Sequence, residues 1–258
     1  MTNPELYSHQ KSQHNPGEAT PRGLAVEVIG RQGSIAWHDT GGVQSRGLPE
    51  SVRAASGLGT LLDAYVTNPD FVPPQFIAVA DGPGSFTGLR IAMTTAKTLA
   101  YAWNIPIIGI DSLAAIASMA VQDSSKNRIP IRVAINAYRG QVFTARFDAS
   151  ADPMTYDVVA RDDKQSDRSR LMSQDDWKHL LQTSNEAHLA TGDSAAFQSA
   201  DRQVWQFMET TQPIARSVLA LAVPRYQSGQ STSAIEAMPR YFRPSAAEET
   251  ADQRTALM

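Results

Sequence analysis

No cysteine occurs in the 258 residues, which excludes a disulfide scaffold, thiolate metal sites and a cysteine nucleophile. Histidine is scarce. The five stand at His9, His14, His38, His179 and His188, with none between residues 39 and 178. No HExxH or HxxxH pair can be written, so a helical two-histidine metal motif is excluded. A dominant charge is lacking too: 23 Lys+Arg against 26 Asp+Glu leaves a net charge of −3. That gives no basic field to hold a nucleic-acid backbone unaided. No run of about eighteen apolar residues occurs, so no membrane helix is expected, and a cytoplasmic location is. Met1 to Thr20, rich in Gln, Asn, Ser and Pro, lacks the apolar stretch of a signal peptide and reads as a disordered tail.

What is present is an ordinary apolar content, 42% hydrophobic residues, in a chain long enough for one large or two modest domains. Leu24 to Ile29 is apolar and β-prone, Gly30 to Gly33 is turn chemistry, and Ile35 to Trp37 is apolar again, predicting two antiparallel strands. A Gly-rich connection, Gly41 to Gly47, leads to Ser51 as the expected N-cap. Val52, Ala55, Leu58, Leu62 and Tyr65 then recur at helical spacing. Phe76 to Ala80 predicts a strand, Leu89 to Trp103 a helix burying Ala92, Ala96, Leu99 and Trp103, and Ile105 to Ile110 another strand. Together they predict a right-handed βαβ crossover. Asn104 is the expected helix terminator, and Asp111 or Ser112 caps a helix from Leu113 to Val121.

Farther on, Ile131, Val133 and Ile135 alternate as a strand, and Asn136 to Gly140 turns into a hairpin partner. Asp148 to Arg170 reads as a surface connection. A helix around Trp177 to Leu181, a strand from His188 to Ala190 and helices over Asp201 to Met208 and Ile214 to Tyr226 complete the pattern. Two hairpin-plus-crossover halves suggest a duplicated α/β fold, with an N-terminal lobe over 21–121 and a C-terminal lobe over 122–243. Tails are expected at 1–20 and 244–258, and the last helix is placed to pack back on the first lobe.

The most distinctive segment is Asp81-Gly82-Pro83-Gly84-Ser85-Phe86-Thr87-Gly88-Leu89-Arg90, between a predicted strand and a predicted helix. Backbone N–H groups at a helix start attract phosphate. A P-loop, however, needs Lys and then Ser or Thr after its last Gly, and here Leu89 and Arg90 follow. The spacing is not GxGxxG either. A tight structural turn, which glycine permits, is favoured over a phosphate site.

Gly82 to Ala117, GPGSFTGLRIAMTTAKTLAYAWNIPIIGIDSLAAIA, resembles the signature of the TsaB (YeaZ) family. Further matches are Leu24-Ala25-Val26-Glu27, Gly33-Ser34-Ile35-Ala36, Arg139-Gly140-Gln141-Val142-Phe143, Thr191-Gly192-Asp193 and Pro239-Arg240-Tyr241-Phe242-Arg243. Members are relatives of TsaD, the subunit that makes threonylcarbamoyladenosine in tRNA. The resemblance runs from Gly23 to Arg243 and implies the actin-like, sugar-kinase/Hsp70 (ASKHA) fold with two ribonuclease-H-like lobes. It also implies a non-catalytic dimerisation and activating subunit that supports TsaD in threonylcarbamoyl transfer to the adenosine beside the anticodon. A TsaE-like ATPase is expected to join the complex, and tRNA to be contacted indirectly.

The same resemblance identifies what this chain has lost. TsaD holds an essential metal through a His-x-x-x-His pair on the helix after the strand that corresponds to Ile105 to Ile110. Ser112 and Ile116 stand at those positions here, and isoleucine cannot coordinate a metal. The family's first strand-turn reads Asp or Glu followed by Thr-Ser and faces ATP phosphates in active relatives. Here Val28 and Ile29 follow Glu27. The hairpin that commonly begins with Asp begins with Asn136. Glu27 and Asp193 therefore mark degraded nucleotide turns, and no cofactor is expected on this chain alone, ATP and metal being expected on the TsaD partner.

Pairing in the family is implied to use helices of the first lobe, here Ser51 to Tyr65 and Leu89 to Trp103. With Ala92 and Ala96 toward the sheet, Met93, Lys97 and Tyr101 are expected on the other side and join Leu58, Leu62 and Tyr65 as the candidate partner face. A solvated face with incidental apolar residues is the plain alternative. Asp81 is read as a turn cap in preference to a catalytic carboxylate. Arg90 is read as an anion ligand or as a salt-bridge or surface residue, Arg139 as a partner or tRNA contact or a solvated hairpin residue, and Asp193 as a turn residue. His38, His179 and His188 read as surface or satisfied core residues. The competing functions are an ATP-dependent phosphotransferase of the same superfamily and a free-standing homodimeric binding module. A peptidase reading finds neither a metal-binding pair nor a cysteine.

Overall fold

A computed structural model describes residues 20–29, 33–39, 42–49, 51–69, 71–123, 129–147, 169–208 and 213–242. Both tails, Arg243 and most of the expected 148–170 connection lie outside the described residues. Among the described residues ten strands form two sheets of five. The first contains β1 (Gly23–Glu27), β2 (Ser34–Asp39), β3 (Gly42–Gly47), β4 (Phe76–Gly82) and β5 (Ile107–Asp111), in the order β3-β2-β1-β4-β5. The second contains β6 (Ile131–Tyr138), β7 (Gln141–Phe147), β8 (Arg170–Ser173), β9 (His188–Gly192) and β10 (Trp205–Phe207), in the order β8-β7-β6-β9-β10.

The two orders are the same pattern repeated. In each, an antiparallel hairpin is extended on one side by a third antiparallel strand and on the other by two parallel strands. This is the duplicated, ribonuclease-H-like arrangement that the sequence implied.

Among the described residues five helices pack on these sheets: α1 (Ala54–Val66), α2 (Phe86–Trp103), α3 (Ser112–Asp123), α4 (Gln174–Thr183) and α5 (Ala215–Gln227). Central strands that are buried on both faces read as continuous apolar runs, and the first sheet is covered on both. Leu24, Val26, Ile77 and Val79 face Leu58 of α1 and Ala92, Met93 and Ala96 of α2. Ala25, Phe76, Ala78, Ile108 and Ile110 face α3 and α5, and this cluster runs on into Ile131, Val133 and Phe143 of the second sheet. Trp177 and Leu181 of α4 cover the second sheet's other side with Trp205 and Phe197.

Local chemistry explains most boundaries. Ser85 caps α2, its Oγ accepting the Gly88 N–H at 3.3 Å, and Asn104 ends that helix in the left-handed conformation. Asp111 caps α3 as expected, accepting the Leu113 and Ala114 N–H groups at 2.9 Å each. Four expectations are corrected. Arg53, not Ser51, occupies the N-cap of α1 and makes no side-chain cap bond. Gly42–Gly47, read as a loop, is edge strand β3, held by main-chain pairing that its polar sequence does not signal. Arg170–Ser173, read partly as a connection, is strand β8. The helix expected over Asp201 to Met208 is a turn, in which the Asp201 carbonyl accepts the Val204 and Trp205 N–H groups, followed by strand β10 beside β9.

Leu113 is fully buried where α3 meets both sheets. Leu113→Ala is expected to lower unfolding free energy by about 2–5 kcal/mol, through lost burial and the cavity left behind. Urea denaturation followed by circular dichroism measures it.

Candidate functional site

The carboxyl ends of β1, β4 and β5, where open α/β sheets place ligands, carry Glu27, the Asp81–Gly88 loop and Asp111. Glu27 is buried, at 3% exposure. Ser34 donates its hydroxyl to one carboxylate oxygen, and the Ile29 N–H donates to the other at 3.0 Å. Ser34 Oγ in turn accepts the Ala215 N–H at 3.0 Å. Burial pushes the Glu27 carboxyl up from 4.5 to about 7, with the Ser34 and Ile29 bonds pulling the other way. This carboxylate closes the β1–β2 hairpin and seats the start of α5.

The Gly-rich loop is filled by protein. Ser85 N–H donates to the Ile29 carbonyl at 3.2 Å. A Cβ added to Gly88 would lie 2.2 Å from the Val28 carbonyl oxygen, and one on Gly84 would lie 3.2 Å from that of Ile29. On the opposite side, a Cβ on Gly82 would lie 2.4 Å from the Arg240 carbonyl oxygen. The glycines therefore admit the main chain of residues 28–29 and 240, in keeping with the structural-turn reading. Pro83 is buried beside Gly82, whereas Phe86 and Thr87 are exposed.

Arg240 ties the strand ends together. Its N–H donates to the Asp81 carbonyl at 2.7 Å, and its guanidinium donates to Asp81 Oδ1 through Nε at 2.9 Å and Nη2 at 2.6 Å. Nη2 also lies 3.4 Å from Asp111 Oδ2, which accepts the Ser169 hydroxyl at 3.1 Å. Asp81 is thus engaged in an ion pair with Arg240. Arg90 is an exposed residue whose guanidinium lies 4.1 Å from the Phe86 ring centre and donates to the Tyr241 hydroxyl at 3.2 Å. Neither tie is visible from local spacing, because the partners are separated by about 150 residues. The only signal was the Pro239-Arg240-Tyr241-Phe242 match, to which no role attached.

Other candidates fall as follows. Asp193 Oδ1 accepts the Ala195 N–H at 3.1 Å and caps the 3-10 turn Ser194–Phe197, as a turn residue does. Arg139 is exposed at the tip of the β6–β7 hairpin, with φ +51°. His38 accepts the Gly23 N–H, and His188 stacks on Trp205 at 4.4 Å; burial lowers the basicity of both. His179 lies in α4. Ser112 and Ile116, which the resemblance aligned with the relative's metal pair, are buried in α3.

The expected partner face needs the largest correction. Leu58, Tyr65 and Met93 are 2%, 4% and 4% exposed and pack in this chain's own core. Leu62 is half-buried. Lys97 donates to the carbonyls of Ile235 at 3.1 Å and Ala237 at 3.0 Å. Tyr101 alone of the six is fully open, at 77% exposure. The helix is rotated from the expected setting because its buried residues are Leu89, Ala92, Met93, Ala96 and Ala100, with Leu99 and Trp103 at the margin.

The loop packing and the Glu27 pocket are both open to test. Gly88→Ala forces backbone against backbone and is expected to destabilise by about 1–3 kcal/mol, read as a lowered thermal midpoint with no ligand present. For Glu27 the folded protein holds a proton that the unfolded chain has released between pH 4.5 and about 7. Its contribution is therefore full below the unfolded value and is lost as pH rises through about 7, a change on the order of 3 kcal/mol. Thermal midpoints measured from pH 5 to 8 should fall with pH in the native chain, and Glu27→Gln should flatten that slope.

Residues 67–225 match the family model described as TsaD, tRNA N6-adenosine threonylcarbamoyltransferase. The tRNA threonylcarbamoyladenosine biosynthesis protein TsaB of Bacillus subtilis (strain 168) is 38% identical over 99 residues, which are 38% of this chain and 40% of that protein. TsaB of Haemophilus influenzae is 26% identical over 181 residues, covering 65% of this chain and 69% of that protein. The first curated relatives are matched over about two-fifths of their length. The solved structure of YeaZ from Pseudomonas aeruginosa superposes with a TM-score of 0.64 at 20% identity, over 86% of this chain and 99% of that one. That likeness and the doubled sheet order place the fold in the actin-like, sugar-kinase/Hsp70 class. With the family match spanning more than half of its residues and its signature loop packed as described, the chain belongs to the TsaB/YeaZ branch of the TsaD family.

Proposed function

We propose that this protein is a non-catalytic subunit that pairs with a TsaD-like enzyme and supports threonylcarbamoyl transfer to the adenosine beside the tRNA anticodon. The observation that carries the reading is the filled cradle. The glycines of the loop admit the carbonyls of Val28, Ile29 and Arg240, and Glu27, in the turn that the resemblance aligns with the phosphate-facing turn of active relatives, is engaged inside its own lobe. At the positions of the relative's metal pair stand a serine and an isoleucine, both buried. Chemistry and cofactors, ATP and metal, belong on this reading to the partner, in the cytoplasm, with tRNA held mainly by other subunits.

The face offered to the partner is the outer side of α1 and α2. After the buried residues are removed, it consists of Tyr101 with Thr94 and Thr98 on α2 and Gly59, Thr60 and Asp63 on α1, all exposed. One large aromatic among small residues suits a closely packed helical interface, in which an anchor of this kind carries much of the energy.

Copurification with a TsaD-like protein and a threonylcarbamoylation assay with and without this chain test the reading. Association and stimulated activity are expected. Tyr101→Glu is expected to weaken association by about 2 kcal/mol or more, roughly 30-fold in Kd. Full activity of the TsaD-like protein alone would overturn the subunit role, and undiminished binding by the variant would move the interface elsewhere. ATP turnover by the isolated chain would favour the phosphotransferase.

A further inference from the structure

The segment after α5 runs along the first lobe, touching β5, α2, the α1–α2 core and the end of β4 in turn, before it crosses to the second sheet. Thr232 exchanges main-chain hydrogen bonds with Ile107 at the start of β5, both at 2.8 Å. Lys97 of α2 then donates to the carbonyls of Ile235 and Ala237, and Ala237 is buried in the α1–α2 core. Arg240 follows, with its main-chain bond to Asp81 and its guanidinium on Asp81 and toward Asp111. Tyr241 packs on Phe86, with ring centres 5.0 Å apart, and Phe242 crosses to the second sheet, meeting Phe143 of β7 edge-on at 6.2 Å. Asp111 reaches the same sheet from the other side, through the hydroxyl of Ser169 at the head of β8.

Proteins built of two lobes around a cleft commonly close by hinge motion when a ligand bridges the lobes. In this chain the bridge is covalent chain. We propose that residues 232–242 are a built-in clasp that holds the angle between the two lobes, with the Arg240 guanidinium as its catch.

The geometry gives the catch its character. Asp111 is 3% exposed and Asp81 is 14% exposed, and one planar guanidinium lies against both carboxylates. A forked, always-charged group suits such a position, where a lysine ammonium would offer a point charge. Asp111 also caps α3, the helix packed between the two sheets. The clasp therefore acts on the element about which the lobes would turn, and on both sides of the cleft. It does so whether or not a partner is bound, so the inference stands independently of the subunit reading.

Pulsed electron resonance between spin labels on the two lobes tests it. The chain has no native cysteine, so Thr60→Cys on α1 and Gln182→Cys on α4, both exposed, label the full-length protein selectively. The native clasp should give one narrow interlobe distance. Arg240→Ala should shift and broaden the distribution, and Arg240→Lys should fall between the two. If Arg240→Ala fails to fold by circular dichroism, Asp81→Asn, which keeps the side chain's shape, takes its place with the same expected broadening. A distribution unchanged in the folded variant, or already broad in the native chain, would overturn the proposal.

Discussion

The structure depends on covering both faces of the first sheet. β1 and β4 carry apolar side chains on alternating sides, so neither face tolerates water, and two layers of helix are required. α1 and α2 supply one. The other is supplied by α3 and α5, and α3 has an apolar surface wider than one sheet can use. Its second side is met by β6 and β7, and the same cluster of alanines, isoleucines and Phe143 serves both lobes. The relation between lobes is thus a matter of core packing first, with polar ties added at the cleft.

That ordering bears on function. In a two-lobed α/β protein the ends of the central strands are where ligand chemistry is usually found. Here the acidic groups and glycines at the ends of β1, β4 and β5 have partners from the chain: Glu27 with Ser34 and Ile29, the loop glycines with carbonyls of residues 28, 29 and 240, and Asp81 and Asp111 with Arg240. A site with these internal partners is suited to shape and rigidity, which is what a supporting subunit contributes.

Much of the first lobe was legible because its signals are local. The apolar runs of β1 and β4, the Asp111 cap and the Asn104 terminator act within a few residues of themselves. The failures have physical causes of a different kind. Gly42–Gly47 and Arg170–Ser173 are edge strands whose polar or mixed sequences leave only main-chain pairing to define them, and β10 has three residues, too few for a period of two to show. The buried face of α2 was misplaced because its sheet-facing positions are largely small. The stripe Ala92, Ala96 and Ala100 can be flanked on one side by Leu89 and Met93 or on the other by Leu99 and Trp103, and contact with the β1–β4 surface decides between them. The candidate site was legible as a turn and as a loss of ligand chemistry. Its ion pairs were not, since they join residues at opposite ends of the chain.

The two halves share their strand order but not their outer helices. Where the first half carries the eighteen-residue α2, the second has the four-residue turn Ser194–Phe197. The pseudo-symmetry inherited from duplication is therefore broken at the surface. A molecule with two equivalent helical faces could add copies at both ends and grow, as open heterologous assemblies do. Among the described residues only the first half presents such a face, so copies joined through it alone would close at a pair instead of extending in a row.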